Sequence, residues 1–234
     1  MEVTIQRHCV PCDPQTGLSP LQTALLESPE RVRVASAPTG AGKSYAFLQA
    51  LLQKDQHVLF VVPTRRLVQN LALGTVAALM ESGLSEKQAK RKVALWSSEQ
   101  TLELKAAGVQ NVRAHRLREF LGEESKIIYT VPEIFSRLLL RRLDAGLSAV
   151  GILDFLEVFD HVVFDEFHTI EARGFGLASL CAVLSAKLPG LRSRVSFLSA
   201  TPLDLRPVLS QLGITEDSIL FREESVENEG RPLH

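Results

Sequence analysis

The stretch Arg31-Val32-Arg33-Val34-Ala35-Ser36-Ala37-Pro38-Thr39-Gly40-Ala41-Gly42-Lys43-Ser44 decides how this chain folds. Its first six residues, Arg31–Ser36, read as a short buried strand, and a helix opens at Lys43. Between them the backbone must turn tightly, and glycines at 40 and 42 permit conformations that other residues resist. Such a loop presents several N–H groups inward, and the helix N-terminus behind it adds aligned dipoles that favour an anion. The chemistry that fits is phosphate binding. Thr39, Gly40, Ala41, Gly42 and Lys43 form the cradle, Lys43 reaches the β and γ phosphates, and the Ser44 hydroxyl is placed to bind Mg²⁺. A chance glycine-rich turn is the competing reading, and the strand–loop–helix context argues against it.

Outward from that loop, short apolar runs alternate with longer helical stretches. The runs are Arg31–Ser36, Val58–Val62, Val93–Trp96, Lys126–Tyr129, His161–Phe164 and Val195–Leu198, with a further strand at Ile219–Arg222. Runs this short and this rich in Val and Phe suit a parallel sheet buried on both faces. Helices are expected over Lys43–Lys54, Arg65–Glu81, Pro132–Leu143, Glu171–Lys187 and Asp204–Leu212. The alternation predicts an α/β fold: a doubly wound, mainly parallel sheet with helices on both faces and ligands at the strands' carboxyl ends. Leu143–Glu157 fits neither period and reads as an insertion ahead of the strand at His161.

A second site lies where the run Val162-Val163-Phe164 ends in Asp165-Glu166-Phe167-His168. In this sheet type, acids at a strand end come to lie beside the phosphate loop. Mg²⁺ prefers hard oxygen ligands and keeps several waters, which suits Asp165. Glu166 is then the base that orients and deprotonates an attacking water. Two acids after a strand mean little alone; beside Lys43 they carry weight.

Composition narrows the field further. The chain has 234 residues, 45% hydrophobic and 23% charged, enough for one large domain with a core of its own. With a net charge of −1, any contact with a polyanion must come from a local basic face. The N-terminus has no apolar signal region, and no apolar run is long enough to cross a bilayer, so no membrane partner is expected. Three cysteines argue against a disulfide framework and for the reducing cytoplasm. Cys9 and Cys12, with His8 beside them, fall short of the roughly four ligands a zinc site needs, which favours ordinary thiols.

The two sites, with three further segments, resemble the motifs of superfamily 2 helicases of the DExH type. Thr39–Ser44 is similar to motif I, where Ala37 stands in place of the strict pattern's first glycine, and Asp165–His168 is similar to motif II. Pro63-Thr64-Arg65-Arg66-Leu67-Val68-Gln69-Asn70 resembles motif Ia, and Tyr129-Thr130-Val131-Pro132-Glu133 the later backbone-contacting motif. Ser199-Ala200-Thr201-Pro202 resembles motif III, which couples hydrolysis to strand movement. The resemblance covers about residues 18 to 204 and implies a RecA-like P-loop NTPase domain that uses ATP and Mg²⁺. It implies nucleic-acid contacts from Thr64, Arg65, Arg66 and Thr130, with one of the two arginines free to be structural instead. Such contacts grip phosphate and carry no base sequence. Ser199 and Thr201 become coupling residues, and His168 the link between the nucleotide site and motif III. Ser19-Pro20-Leu21-Gln22 precedes the loop by the family's distance for an adenine-reading glutamine, Gln22; a helix-capping Ser19 followed by a surface Gln is the alternative.

The resemblance also sets expectations for the whole. Residues 1–17 form a lead segment, 18–224 the first RecA-like domain, and 225–234 the start of a connection to a second one. That second domain, in the same protein or in a partner subunit, carries the family's transition-state arginine, worth roughly 10³–10⁵ in rate in comparable enzymes. Nothing after residue 204 matches it, so slow ATP hydrolysis and little unwinding are expected of this chain alone. The Asp-Glu-Phe-His spelling and short lead resemble Cas3-type CRISPR helicase subunits, which favours DNA, while certain bacterial DEAH RNA helicases share the spelling. The partner is then single-stranded or partly duplex nucleic acid. Alternatives are a split motor or a non-catalytic ATP-gated scaffold, although Lys43 and Glu166 are both intact. Lys87–Lys92 reads as a solvated helix face, Arg137, Arg141 and Arg142 as a widening of the phosphate-binding face, and Arg173 as a solvent or Glu171 contact.

Overall fold

The computed structural model describes residues 12–110, 112, 115, 126–140 and 152–224. His8, Cys9, Arg141, Arg142, the first part of Leu143–Glu157 and residues 225–234 lie outside them, as do the side chains of Arg137 and Arg173. Seven strands form one sheet: β1 (Val32–Ser36), β2 (Val58–Val61), β3 (Val93–Trp96), β4 (Ile127–Thr130), β5 (His161–Phe164), β6 (Arg194–Ser199) and β7 (Ile219–Glu223). Their order is β3-β4-β2-β5-β6-β1-β7 and every described pairing is parallel. Because β6 lies between β1 and β5, whatever follows β6 falls between the phosphate loop and Asp165. Strands β1, β2, β4 and β5 are buried along their whole length, as a parallel sheet covered on both faces requires.

The described helices are α1 (Pro20–Glu27), α2 (Lys43–Lys54), α3 (Arg65–Glu81), α4 (Glu86–Lys92), α5 (Ser98–Ala106), α6 (Pro132–Leu140), α7 (Ile152–Val158), α8 (Ala172–Lys187) and α9 (Arg206–Gln211). Helix α1 packs on α2, α3 on α4, and α6 and α7 on α8. Part of the segment read as irregular is thus helical, at α7. The last helix begins at Arg206, not Asp204, because the Asp204 carboxylate accepts the Arg206 N–H at 3.0 Å and so stands ahead of the first turn.

Helix α1 is fixed at both ends. Ser19 caps its N-terminus in a capping box: Ser19 Oγ accepts from the Gln22 N–H, and Gln22 Oε1 accepts from the Ser19 N–H at 2.8 Å. At the other end Arg33, 0% exposed in β1, donates to the carbonyls of Leu25, Ser28 and Glu30. Carbonyls at a helix C-terminus are the partial negative charges a buried cation needs. Burial and the nearby Arg194 nevertheless pull its pKa down to about 9.

Candidate functional site

The phosphate loop depends on two left-handed glycines, Gly40 (φ 88°) and Gly42 (φ 75°). Gly42 is also the residue ahead of α2, and a Cβ there would fall 2.3 Å from Gln22 Nε2, so a larger residue would displace that side chain as well as strain the backbone. Lys43 is 6% exposed, and its ammonium donates to the carbonyls of Ala37 at 2.5 Å and Pro38 at 3.2 Å. Burial lowers its pKa, and the carboxylates of Asp165, Glu166 and Glu224 oppose that shift. Glu224 follows β7 and donates its N–H to the Ser36 carbonyl at 2.8 Å; sequence reasoning gave it no role.

Ser44 Oγ donates to Asp165 Oδ2 at 2.6 Å, so the two proposed Mg²⁺ ligands meet across the sheet's carboxyl edge. Two adjacent hard oxygens, one ionised, are a donor set that suits Mg²⁺. Asp165 is buried, and its other oxygen accepts the Glu166 N–H at 2.9 Å. That turn puts Glu166 itself in the left-handed region (φ 50°, ψ 41°), which costs a non-glycine residue roughly 1–3 kcal/mol. Phe167 anchors the turn, its ring edge-on to Phe197 of β6 at 4.8 Å. The aromatic third position of the motif therefore belongs to the core, and the two acids after the strand end gain a rigid base.

From Glu166 the contacts run on to the segment after β6. His168 Nδ1 is 3.6 Å from Glu166 Oε2 and 3.2 Å from Ser199 Oγ. Ser199 Oγ donates to the Thr201 carbonyl at 2.6 Å and accepts from the Thr201 N–H at 3.1 Å. A hydroxyl has one proton, so with Thr201 holding it, Ser199 is an acceptor toward His168, and Nδ1 is the protonated ring nitrogen. Ser44, Asp165, Glu166, His168, Ser199 and Thr201 thus form one connected series of polar contacts.

A model of this family spans residues 19–206, most of the chain. The chain belongs to the DEAD/DEAH box helicase family. The helicase domain's fold is shared by solved structures of low identity. The Pyrococcus furiosus Hef helicase domain matches with a TM-score of 0.52 and 20% identity, covering 87% of this chain and 38% of that one. Mss116p, determined with ssRNA and AMP-PNP, matches with a TM-score of 0.58 and 19% identity over 91% of this chain and 41% of that one. The helicase MrfA bound to DNA gives 0.56 and 17% over 88% and 27%. The chain therefore spans about two fifths or less of the length of these structures. No curated protein sequence matches it.

On the helicase domain's other candidate face, the residues expected to meet nucleic acid fare differently from one another. Thr64 is exposed and caps α3, its Oγ1 accepting the Leu67 N–H at 3.2 Å. Arg65 and Arg66 follow in the first turn, both exposed. Arg65 pairs with Glu99 of α5 at 2.7 Å over a cavity of about 210 Å³ lined by Gln69, Trp96, Gln100 and Val131. Thr130 corrects its expectation: it is 0% exposed and its Oγ1 donates to the Trp96 carbonyl at 3.0 Å. As the last residue of β4 it faces into the sheet's packing, and its neighbour Val131 lines the cavity instead. Gln22 is buried, not a surface residue, and its Nε2 donates to the Gly42 carbonyl at 3.0 Å. Cys12 is exposed, and among the described residues no group of three or more His, Cys, Asp or Glu is placed to hold a metal. No described helix is long and apolar enough to cross a membrane.

Proposed function

We propose that this domain is the ATP-binding first motor domain of a DExH-type helicase that moves along nucleic acid. The observation that carries it is the Ser44–Asp165 contact at 2.6 Å, which brings the phosphate loop and the acidic strand end into one site. Gly40 to Ser44 hold the phosphates by backbone N–H groups and the Lys43 charge, and Ser44 and Asp165 would hold Mg²⁺, which would supply positive charge at the phosphoryl oxygens. Glu166 orients the attacking water and accepts its proton. His168, in contact with both Glu166 and Ser199, transmits the state of that carboxylate to Thr201.

Nucleic acid as the partner is supported by the family and by ssRNA and DNA named with Mss116p and MrfA. Thr64, Arg65 and Arg66 supply a neutral donor and two cations for phosphate at the start of α3, where the helix dipole adds attraction. The choice of DNA, and the Cas3-type assignment with it, rest on the spelling of residues 165–168 and the short N-terminal lead. A second RecA-like domain completes the site with a cation, and the coverage of the solved relatives fits that division.

The test is ATP turnover by the 234-residue chain with and without single-stranded DNA or RNA, beside Lys43→Ala. Weak turnover with Mg-ATP binding that Lys43→Ala abolishes is the expected result. Stimulation by one polymer decides between DNA and RNA. Binding indifferent to Lys43→Ala would remove the phosphate cradle from the proposal.

A further inference from the structure

Helix α3 buries one face and leaves the other uncovered. Val68, Ala72, Thr75 and Leu79 are buried, while Arg66, Asn70, Leu73, Gly74, Ala77 and Glu81 are all exposed. Leu73 is 70% exposed, more than any other large apolar side chain among the described residues. Gly74 beside it stands in open space, where an added Cβ would meet no atom within 4 Å. A single exposed leucine is ordinary on a protein surface. The charges around this one are not.

Those charges run against the helix's own dipole. A helix favours acids in its first turn and bases in its last. Helix α3 has the reverse, with Arg65 and Arg66 at its start, Glu81 at its end, and no acid in the first turn or base in the last. A second helix laid antiparallel corrects both ends. Its C-terminus meets the arginines and its N-terminus meets the glutamate.

The exposed face is also symmetric about its own middle. Arg66 and Glu81 stand equally far along the chain from the midpoint between Leu73 and Gly74, and so do Asn70 and Ala77. A two-fold axis through that midpoint, perpendicular to the helix, pairs Arg66 of each copy with Glu81 of the other. The two Leu73 side chains then meet at the axis, and the two Gly74 positions let the backbones come close. Self-complementarity of this kind is what a contact between identical surfaces requires.

We propose that the exposed face of α3 is a self-association surface on which two copies of this chain dock antiparallel. The helix has 17 residues and is about 25 Å long, so the pair buries little area and associates weakly. Arg66 also belongs to the face proposed for nucleic acid, so the second copy and that ligand compete; the competition, unlike the contact, rests on the nucleic-acid reading.

The test is sedimentation velocity of the 234-residue chain from about 1 µM to 1 mM, with thermal melting as a check of folding. Wild type is compared with Leu73→Gln, Arg66→Glu, Glu81→Arg and the double reversal. A monomer–dimer equilibrium with a Kd of about 10–100 µM is expected for wild type. Leu73→Gln should weaken it about tenfold, and so should each single reversal, which sets like charges together twice. The double reversal should regain at least about threefold of that loss. A monomer at every concentration overturns the proposal and leaves the face to another part of the whole protein or to a different partner. A dimer that the double reversal fails to restore overturns it too, by placing the contact elsewhere. Added single-stranded oligonucleotide should release monomers. Where the charge swap succeeds and oligonucleotide releases nothing, the contact stands and the nucleic-acid role of Arg66 falls.

Discussion

The two edges of the sheet carry similar residues and use them differently. At the carboxyl edge, Ser44, Asp165, Glu166, His168 and Ser199 are joined mainly side chain to side chain across loops. At the amino edge, Asp160 accepts the His57 N–H at 2.8 Å and pairs with Arg192 at 2.8 Å, while its carbonyl accepts the Arg194 N–H. There the carboxylate ties the starts of β2 and β5 and the segment leading into β6, and its partners are largely backbone. His161, beside it, is 0% exposed with Nε2 against Gln56 Oε1 at 3.1 Å. Buried polarity bonded to backbone holds strands in register. Polarity bonded between loops can be rearranged by a ligand.

That contrast can be broken or sharpened by experiment. The largest effect is expected at the carboxyl edge: Glu166→Gln, tested in the complete helicase, lowers turnover by about 10²–10⁴-fold while Mg-ATP still binds. A stability loss in place of a rate loss would move Glu166 to the structural edge. Next is acid sensitivity at the amino edge. Burial, with Arg33, Arg194 and Lys54 nearby, lowers the His161 pKa from 6.5 to about 3. Above pH 6.5 the ring is neutral folded and unfolded, so it adds no pH dependence. As pH falls from 6.5 toward 3, the unfolded chain takes up the proton first and stability drops, by roughly 4 kcal/mol in all. Denaturant unfolding at pH 7 and pH 4 should show that slope, and His161→Gln should flatten it.

Smaller still is Asp160→Ala, expected to cost about 1–3 kcal/mol of stability by leaving the His57 N–H unpaired. Its ATP affinity should match wild type if the edges are as independent as their bonds suggest. The smallest effect is at Glu99→Gln. The Arg65–Glu99 pair is exposed, so breaking it barely alters stability. It does free Arg65 and remove a negative charge from the cavity, and single-stranded oligonucleotide affinity at low salt should rise a few-fold. An unchanged affinity would place Arg65 outside the nucleic-acid path.

Much of this was legible in the sequence, for identifiable reasons. The strand at His161–Phe164 and the helices Lys43–Lys54 and Arg65–Glu81 stand where apolar runs and the glycine loop put them. Helix α5 was not legible because it buries no residue, so its sequence carries no apolar period; its visible signal is Ser97, whose Oγ accepts the Gln100 N–H at 3.2 Å. Helix α1 hid behind Gln22: Ser19 does cap a helix, and Gln22 is its third residue and a buried neighbour of Gly42. Thr130 was misplaced because a motif gives position along the chain, whereas the side a strand residue faces follows from packing that only the assembled sheet provides.

Glu166 stands in a backbone conformation that glycine adopts freely and glutamate resists. Folding and chemistry therefore prefer different residues at one position. A library selected only for resistance to heat should drift there toward glycine or asparagine and lose activity as it does. A library selected for turnover should keep the acid and its strain. The position offers a readout, within a single codon, of which pressure a population has experienced.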